Sequence, residues 1–255
     1  MLDILCNLSR FNNSYLTICL LCLSLGMTNP ALAEYKKPKT QSNDAPSSQS
    51  TGIAATRGAC NPASNSSKKA NATLTALAPY GHVGQSAATN PTFTWYISDR
   101  ESYPVEFWLY ESDPASYQGK GKQVYRTRLS SSAGIMTHSL PAQVSLVPGL
   151  TYIWQVAVIC NPNSPSQSLV VNNRVEIVEI DPTTTSQLNS AIDPVTKANT
   201  YATSGLWYDA IAEVAASPND PQARDATIKL ISQLAATEQD SDNLRQIINS
   251  LKQSK

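Results

Sequence analysis

Between Leu74 and Ile180 apolar residues recur at every second position in short runs, and beyond Asp181-Pro182 they fall about four apart instead. Alternation sends successive side chains to opposite faces of a strand, whereas a spacing near 3.6 lines one face of a helix. The switch therefore predicts a sheet region followed by helices. Phe93, Trp95 and Ile97 alternate with Thr94, Tyr96 and Ser98, and Val105, Phe107 and Leu109 alternate with Glu106, Trp108 and Tyr110. Further runs cover 122–129, 134–140, 150–160 and 169–180, and Thr73 to Ala78 precedes them all. Gly, Pro, Asn, Asp and Ser separate the runs, as turns require. Past the switch, Ala198, Ala202, Leu206, Ala210 and Val214 form one helical stripe. Asp220-Pro221 reads as an N-cap and first helical residue, followed by a stripe of Ala223, Ala226, Leu230 and Leu234 and another of Leu244, Ile247, Ile248 and Leu251.

About seven short strands suit an α+β chain in which an immunoglobulin- or fibronectin-like antiparallel β-sandwich, residues 60–181, carries a helical C-terminal region, residues 182–255. The run Val147-Pro148-Gly149-Leu150-Thr151-Tyr152, leading into Trp154, Val156 and Val158, resembles the corner before the penultimate strand of fibronectin type III domains. There a Tyr hydroxyl bonds back to an upstream backbone group. An eight-stranded barrel or jelly roll is the competing architecture. The helical stripes cannot bury themselves, so they are expected against the sandwich or a partner.

The first 33 residues read as an export signal. About a dozen mostly apolar residues, Tyr15 to Gly26, follow Arg10 and precede the small-x-small site Ala31-Leu32-Ala33, which places the cut between Ala33 and Glu34. An uncleaved membrane anchor is the alternative, although the apolar stretch is short for a spanning helix. Residues 34–59 are polar, Ser- and Pro-containing and without period, and read as a flexible linker. Removing the leader takes away Cys6, Cys19 and Cys22 and leaves Cys60 and Cys160. In an oxidising compartment the two make a disulfide candidate, with two separate buried thiols as the alternative.

Charge and chemistry narrow the function by exclusion. The 255 residues carry 19 basic and 19 acidic side chains, so bulk attraction to nucleic acid is not expected. Ser, Thr, Asn and Gln fill about a third of the chain, in keeping with an exported protein presenting polar strand faces. No nucleophile elbow, HExxH helix, phosphate loop or dinucleotide fingerprint is present. His82 and His138 lack a ligand-type spacing or a recognisable triad, so no catalytic residue, metal ligand or cofactor is assigned.

Several segments together resemble a known family. They are Arg57-Gly58-Ala59-Cys60, TALAPYGHVGQSAATNPTFTWYIS from Thr75, EFWLYE from Glu106, GIMTHSLP from Gly134, YIWQVAVICNPN from Tyr152 and YATSGLWYDAIAEVA from Tyr201. In this order they are similar to the exported, mainly cyanobacterial domain-of-unknown-function 928 family. The resemblance implies export and a sandwich-plus-helices plan, and it transfers no catalytic or ligand role.

Aromatic side chains supply the interaction candidates. Alternation puts Tyr96, Trp108 and Tyr110, with Tyr125 beside them, on outward strand faces, and Trp207 and Asp209 in the helical region. For Asp209 a structural contact between helix and sandwich competes with a role at a site. The expectation is a non-catalytic protein-interaction module of the periplasm or cell surface, whose partner is another exported protein, with neither nucleic acid nor, once processed, membrane involved. A carbohydrate-binding module using the outward aromatics is the alternative, and an unrecognised hydrolase a third.

Overall fold

The computed structural model describes residues 34–38, 60, 72–163, 168–238 and 241–253. The expected leader of residues 1–33, with its cut after Ala33, and linker residues 39–59 lie outside the described residues. Among the described residues, eight strands and five α-helices make an α+β chain. The strands are β1 Leu74–Ala76, β2 Gly84–Ser86, β3 Thr92–Ile97, β4 Pro104–Ser112, β5 Lys120–Ser130, β6 Gly134–Ser139, β7 Thr151–Val158 and β8 Leu169–Ile177. The helices are α1 Pro182–Ser190, α2 Pro194–Thr203, α3 Trp207–Ala215, α4 Pro221–Thr237 and α5 Asp242–Gln253.

The strands form a three-stranded sheet in the order β1-β3-β6 and a five-stranded sheet in the order β2-β8-β7-β4-β5. The inward residues of β3 meet those of β4 and β7: Phe93 lies 5.1 Å from Phe107 and 5.3 Å from Trp154, centroid to centroid, and Trp95 lies 6.3 Å from Phe107. All four rings are fully buried. Aromatic pairs at such separations add roughly 0.5–1.5 kcal/mol each beyond their burial. Beside them, the Val147 amide donates to the Tyr152 hydroxyl at 3.0 Å, the backbone bond expected from the Pro-Gly-x-x-Tyr corner.

The wholly antiparallel expectation needs one correction. Strand β2 runs parallel to β8, Gly84 facing Val175 and Ser86 facing Ile177. Its segment, PYGHVGQS, reads as a turn because it is short and Gly-containing, yet all three residues of β2 are buried. Packing explains the composition: a Cβ on Gly84 would come within 2.8 Å of the Tyr208 ring, so the close approach of α3 demands glycine there.

The helices begin alike. Asp181, Asp193 and Asp220 each accept a backbone N–H from the following turn, at 2.9 Å in every case, and each precedes a Pro at the first helical position. The stripe from Ala198 to Val214 is not one helix: α2 ends at Thr203 and α3 starts at Trp207. Gly205 between them has φ +84°, a left-handed conformation that ends the first helix while keeping the apolar face aligned.

The first residues of the expected linker are held rather than free. Tyr35 is buried, the Lys36 amide donates to the Ala202 carbonyl at 3.0 Å, and a Cβ on Gly205 would sit 3.2 Å from the Lys36 carbonyl oxygen. A polar composition conceals this, because a single aromatic ring supplies the burial.

Candidate functional site

The outer face of the five-stranded sheet is assembled by register. Trp108 of β4 stands opposite Arg126 of β5 and Gln155 of β7, and Glu106 stands opposite Arg128. Glu106 accepts from both guanidinium groups at 2.9 Å, while Arg126 and Arg128 keep 44% and 75% of their side chains exposed. The Arg126 guanidinium lies 5.4 Å from the Trp108 ring centroid, and the Lys120 ammonium 5.5 Å from that of Tyr110. Lys120 also donates to Gln155, and partial burial pulls its pKa down. Burial raises the Tyr110 pKa, against the opposing influence of Arg126. The result is a ladder of cation over ring, repeated along β4 and β5, with Arg174 of β8 opposite Ile153 further across. Ion pairs with guanidinium groups this exposed contribute little to stability.

Trp108 and Tyr110 thus stay on an outer face, half-buried, as alternation predicts. Tyr96 does not. It is 7% exposed, and its hydroxyl bonds to Ser250 of α5 at 2.9 Å, because the helical region covers that face of the three-stranded sheet. Tyr125 turns inward, with its ring 5.7 Å from His138 and 6.2 Å from Phe107. Tyr125 stands opposite Leu109 in the same register that sets Thr127 opposite Phe107, and the β-bulge follows that pair, where Tyr110 meets Gln123. No four-ring platform exists.

Trp207 is also corrected as an interaction candidate. It is fully buried and donates its indole N–H to the Leu77 carbonyl at 2.9 Å. Next to it, the Tyr208 hydroxyl accepts from Trp154 at 2.7 Å and donates to the Arg174 carbonyl at 2.8 Å, tying α3 to β7 and β8. Asp209, in the first turn of α3, accepts from the Ala87 amide at 2.8 Å, the Ser86 hydroxyl at 3.1 Å and the Ala88 amide at 3.3 Å. Burial pushes its pKa up to about 6, against the pull of those three bonds. Asp209 therefore makes the structural contact between helix and sheet.

Sequence reasoning missed the slot that holds Tyr35. Its ring meets Trp207 edge-on at 5.0 Å, its hydroxyl bonds to His82 Nε2 at 2.8 Å, and its amide donates to Gln233 at 3.0 Å. Burial, with Lys37 nearby, pulls the His82 pKa down to about 4, so the ring is neutral at pH 7. The cations of β5 were also missed as site residues, although the alternation of Arg126 and Arg128 within a predicted strand carried the signal. Cys60 and Cys160 are bridged, with Cα atoms 4.9 Å apart. Among the described residues no group of three His, Cys, Asp or Glu side chains is arranged to hold a metal ion.

A model of the family described as Domain of Unknown Function (DUF928) matches residues 52–244. The chain belongs to the DUF928 family. The DUF928 match takes in both bridged cysteines, all eight strands and α1 to α4, and ends within α5. Tyr35 lies ahead of it. No match to a curated protein is found for this DUF928 chain. Among solved structures, that of Astrotactin-2, described as a conserved vertebrate-specific and perforin-like membrane protein involved in neuronal development, aligns at 10% identity with a TM-score of 0.26. That alignment covers 71% of this chain and 36% of the other, so the DUF928 chain spans about a third of its length.

Proposed function

We propose that this chain is an exported, non-catalytic interaction module on a fibronectin-like β-sandwich, which contacts another protein of the periplasm or cell surface through the outer face of its five-stranded sheet. The observation that carries the reading is the ladder of Trp108, Tyr110, Arg126, Arg128 and Lys120. Trp, Tyr and Arg are the residues that dominate the energetics of protein interfaces, above all where a ring and a cation are held in place beforehand. The leader-like first 33 residues and the Cys60–Cys160 bridge support placement in an oxidising compartment. A partner with an acidic surface fits best, because Glu106 is shared between two arginines.

The test is capture of binding proteins from exported material by wild type and by the double variant R126E/R128E. A specific band that is salt-sensitive and lost in the double variant supports the reading. Retention of the same band, with both proteins folded, overturns it.

The carbohydrate reading draws on the same face, since Gln155 stands beside Trp108 and offers an amide for hydroxyl groups. The cations over both rings oppose it, because a sugar must displace them to stack. Affinity electrophoresis through pectate and dextran separates the two. Retardation that Trp108→Ala abolishes would replace the protein partner with a glycan.

A further inference from the structure

We infer that the groove between β6 and helices α3, α4 and α5 is a binding site for a small amphiphilic carboxylate. It encloses about 330 Å³, at the lower end of the roughly 300–1,000 Å³ typical of small-molecule sites. The walls are aliphatic: Ile135 from β6, Val214 from α3, Ile228 from α4 and Leu251 from α5. The Thr227 hydroxyl in the lining is already used, donating to the Ala223 carbonyl at 2.8 Å. One charged side chain is left in the lining, that of Arg224, a half-buried residue.

The described ion pairs join Arg126 and Arg128 to Glu106 and Arg245 to Asp242, and none of them includes Arg224. Among the described residues its guanidinium thus has no carboxylate partner, and an anion entering the groove beside it meets a donor fork suited to a carboxylate. The rest of the occupant has to be apolar, because any further polar group would be buried without a bonding partner. The volume itself limits the size of the occupant, and the adjoining groove past Ile228 is lined by the polar Asp225, Lys229, Ser232 and Lys252, which do not suit an apolar tail. The occupant is therefore an acyl carboxylate with a short tail rather than a peptide or a long-chain lipid. This site shares no residue with the outer sheet face, and the two inferences stand or fall separately.

Octanoate is the probe, titrated below its micelle-forming range into the whole chain and followed by amide NMR shifts and calorimetry, with octanol as the uncharged control. The expected result is saturable octanoate binding that shifts the signals of Ile228 and Leu251, with octanol about ten-fold weaker or worse. Arg224→Gln should bring octanoate to the octanol level and leave octanol unchanged, which a merely structural effect of the substitution would not do. Ala215→Leu, which fills the groove from α3, should weaken both probes and provides a second route if the first variant unfolds. The inference is overturned if octanol binds as tightly as octanoate, if Arg224→Gln leaves octanoate affinity intact, if the shifts map elsewhere, or if no saturable binding occurs.

Discussion

His82 enters the folded state as a neutral ring whose pKa lies at about 4, whereas an unfolded chain titrates its histidines near 6.5. Between those values the unfolded state binds the extra proton, so stability falls as the pH drops through that window. Asp209 has the opposite sign. Its folded pKa of about 6 exceeds the ordinary 3.8, so the folded state binds more protons between the two and stability falls as the pH rises through them. Each effect is of order 3 kcal/mol, and the two oppose one another between about pH 4 and 6. His82→Gln should therefore leave a stability that declines with rising pH across that range, and Asp209→Asn one that climbs. Urea unfolding at pH 4, 5 and 6 measures both slopes, and parallel curves for the two variants would contradict the assignment. Tyr35→Ala empties the slot beside His82 and Trp207 and should cost about 3 kcal/mol by the same measurement. A change near zero would mean that the segment is not held in solution.

Among the elements, the helix starts were the most legible feature that the sequence reading left partly unused. Asp-Pro occurs ahead of α1, α2 and α4, but only Asp220-Pro221 announces its helix clearly, because α1 is Thr-rich and carries no apolar stripe. Asp193→Ala removes one cap and should lower stability by about 1 kcal/mol, read as a shift in the urea midpoint at unchanged slope. Gly205 poses a harder constraint. Alanine there is strained by the positive φ and crowds the Lys36 carbonyl, so Gly205→Ala should destabilise by about 1–2 kcal/mol. The double variant with Tyr35→Ala tests whether the two sites act together: with the segment already released, the glycine substitution should cost less than it does alone. Strand β2 was hidden for a different reason. Three residues carry too short a pattern to show a period, and parallel pairing with β8 is set by contacts about 90 positions away. At the opposite edge, the cations of β5 have a second effect, since charge along an unpaired edge discourages pairing with another chain.

For the whole molecule, the split between sheet region and helices and the inward set of Phe93, Trp95, Phe107 and Trp154 follow from period alone. The candidate site was only half legible. Alternation places Trp108 and Tyr110 on an outer face, but it is blind to what lies above a face, so it set Tyr96 on one that α5 covers, while Tyr125, in step with Thr127 and Leu129, belongs to the inward side of β5. Pairing of Cys60 with Cys160 is readable from their number only on the expectation that residues 1–33 are a leader and its three cysteines do not count. The bridge closes a loop with a sequence separation of 100 residues, for which the chain-entropy model allows about 4–5 kcal/mol at most. Reduction should slow migration on a denaturing gel, and Cys160→Ser should abolish that difference while lowering the unfolding midpoint.

Strand β8 lies between β2 and β7, yet it follows both in the chain. A polypeptide that emerges from its amino terminus therefore presents two open sheet edges, one on β7 and one on β2, until residues 169–177 arrive to fill the gap. The missing strand is the last of the eight, and α3, which clamps β2 through Tyr208 and Asp209, comes later still. Any version of this chain that stops short of β8 is left with a divided sheet, its backbone N–H and C=O groups open to whatever strand comes first.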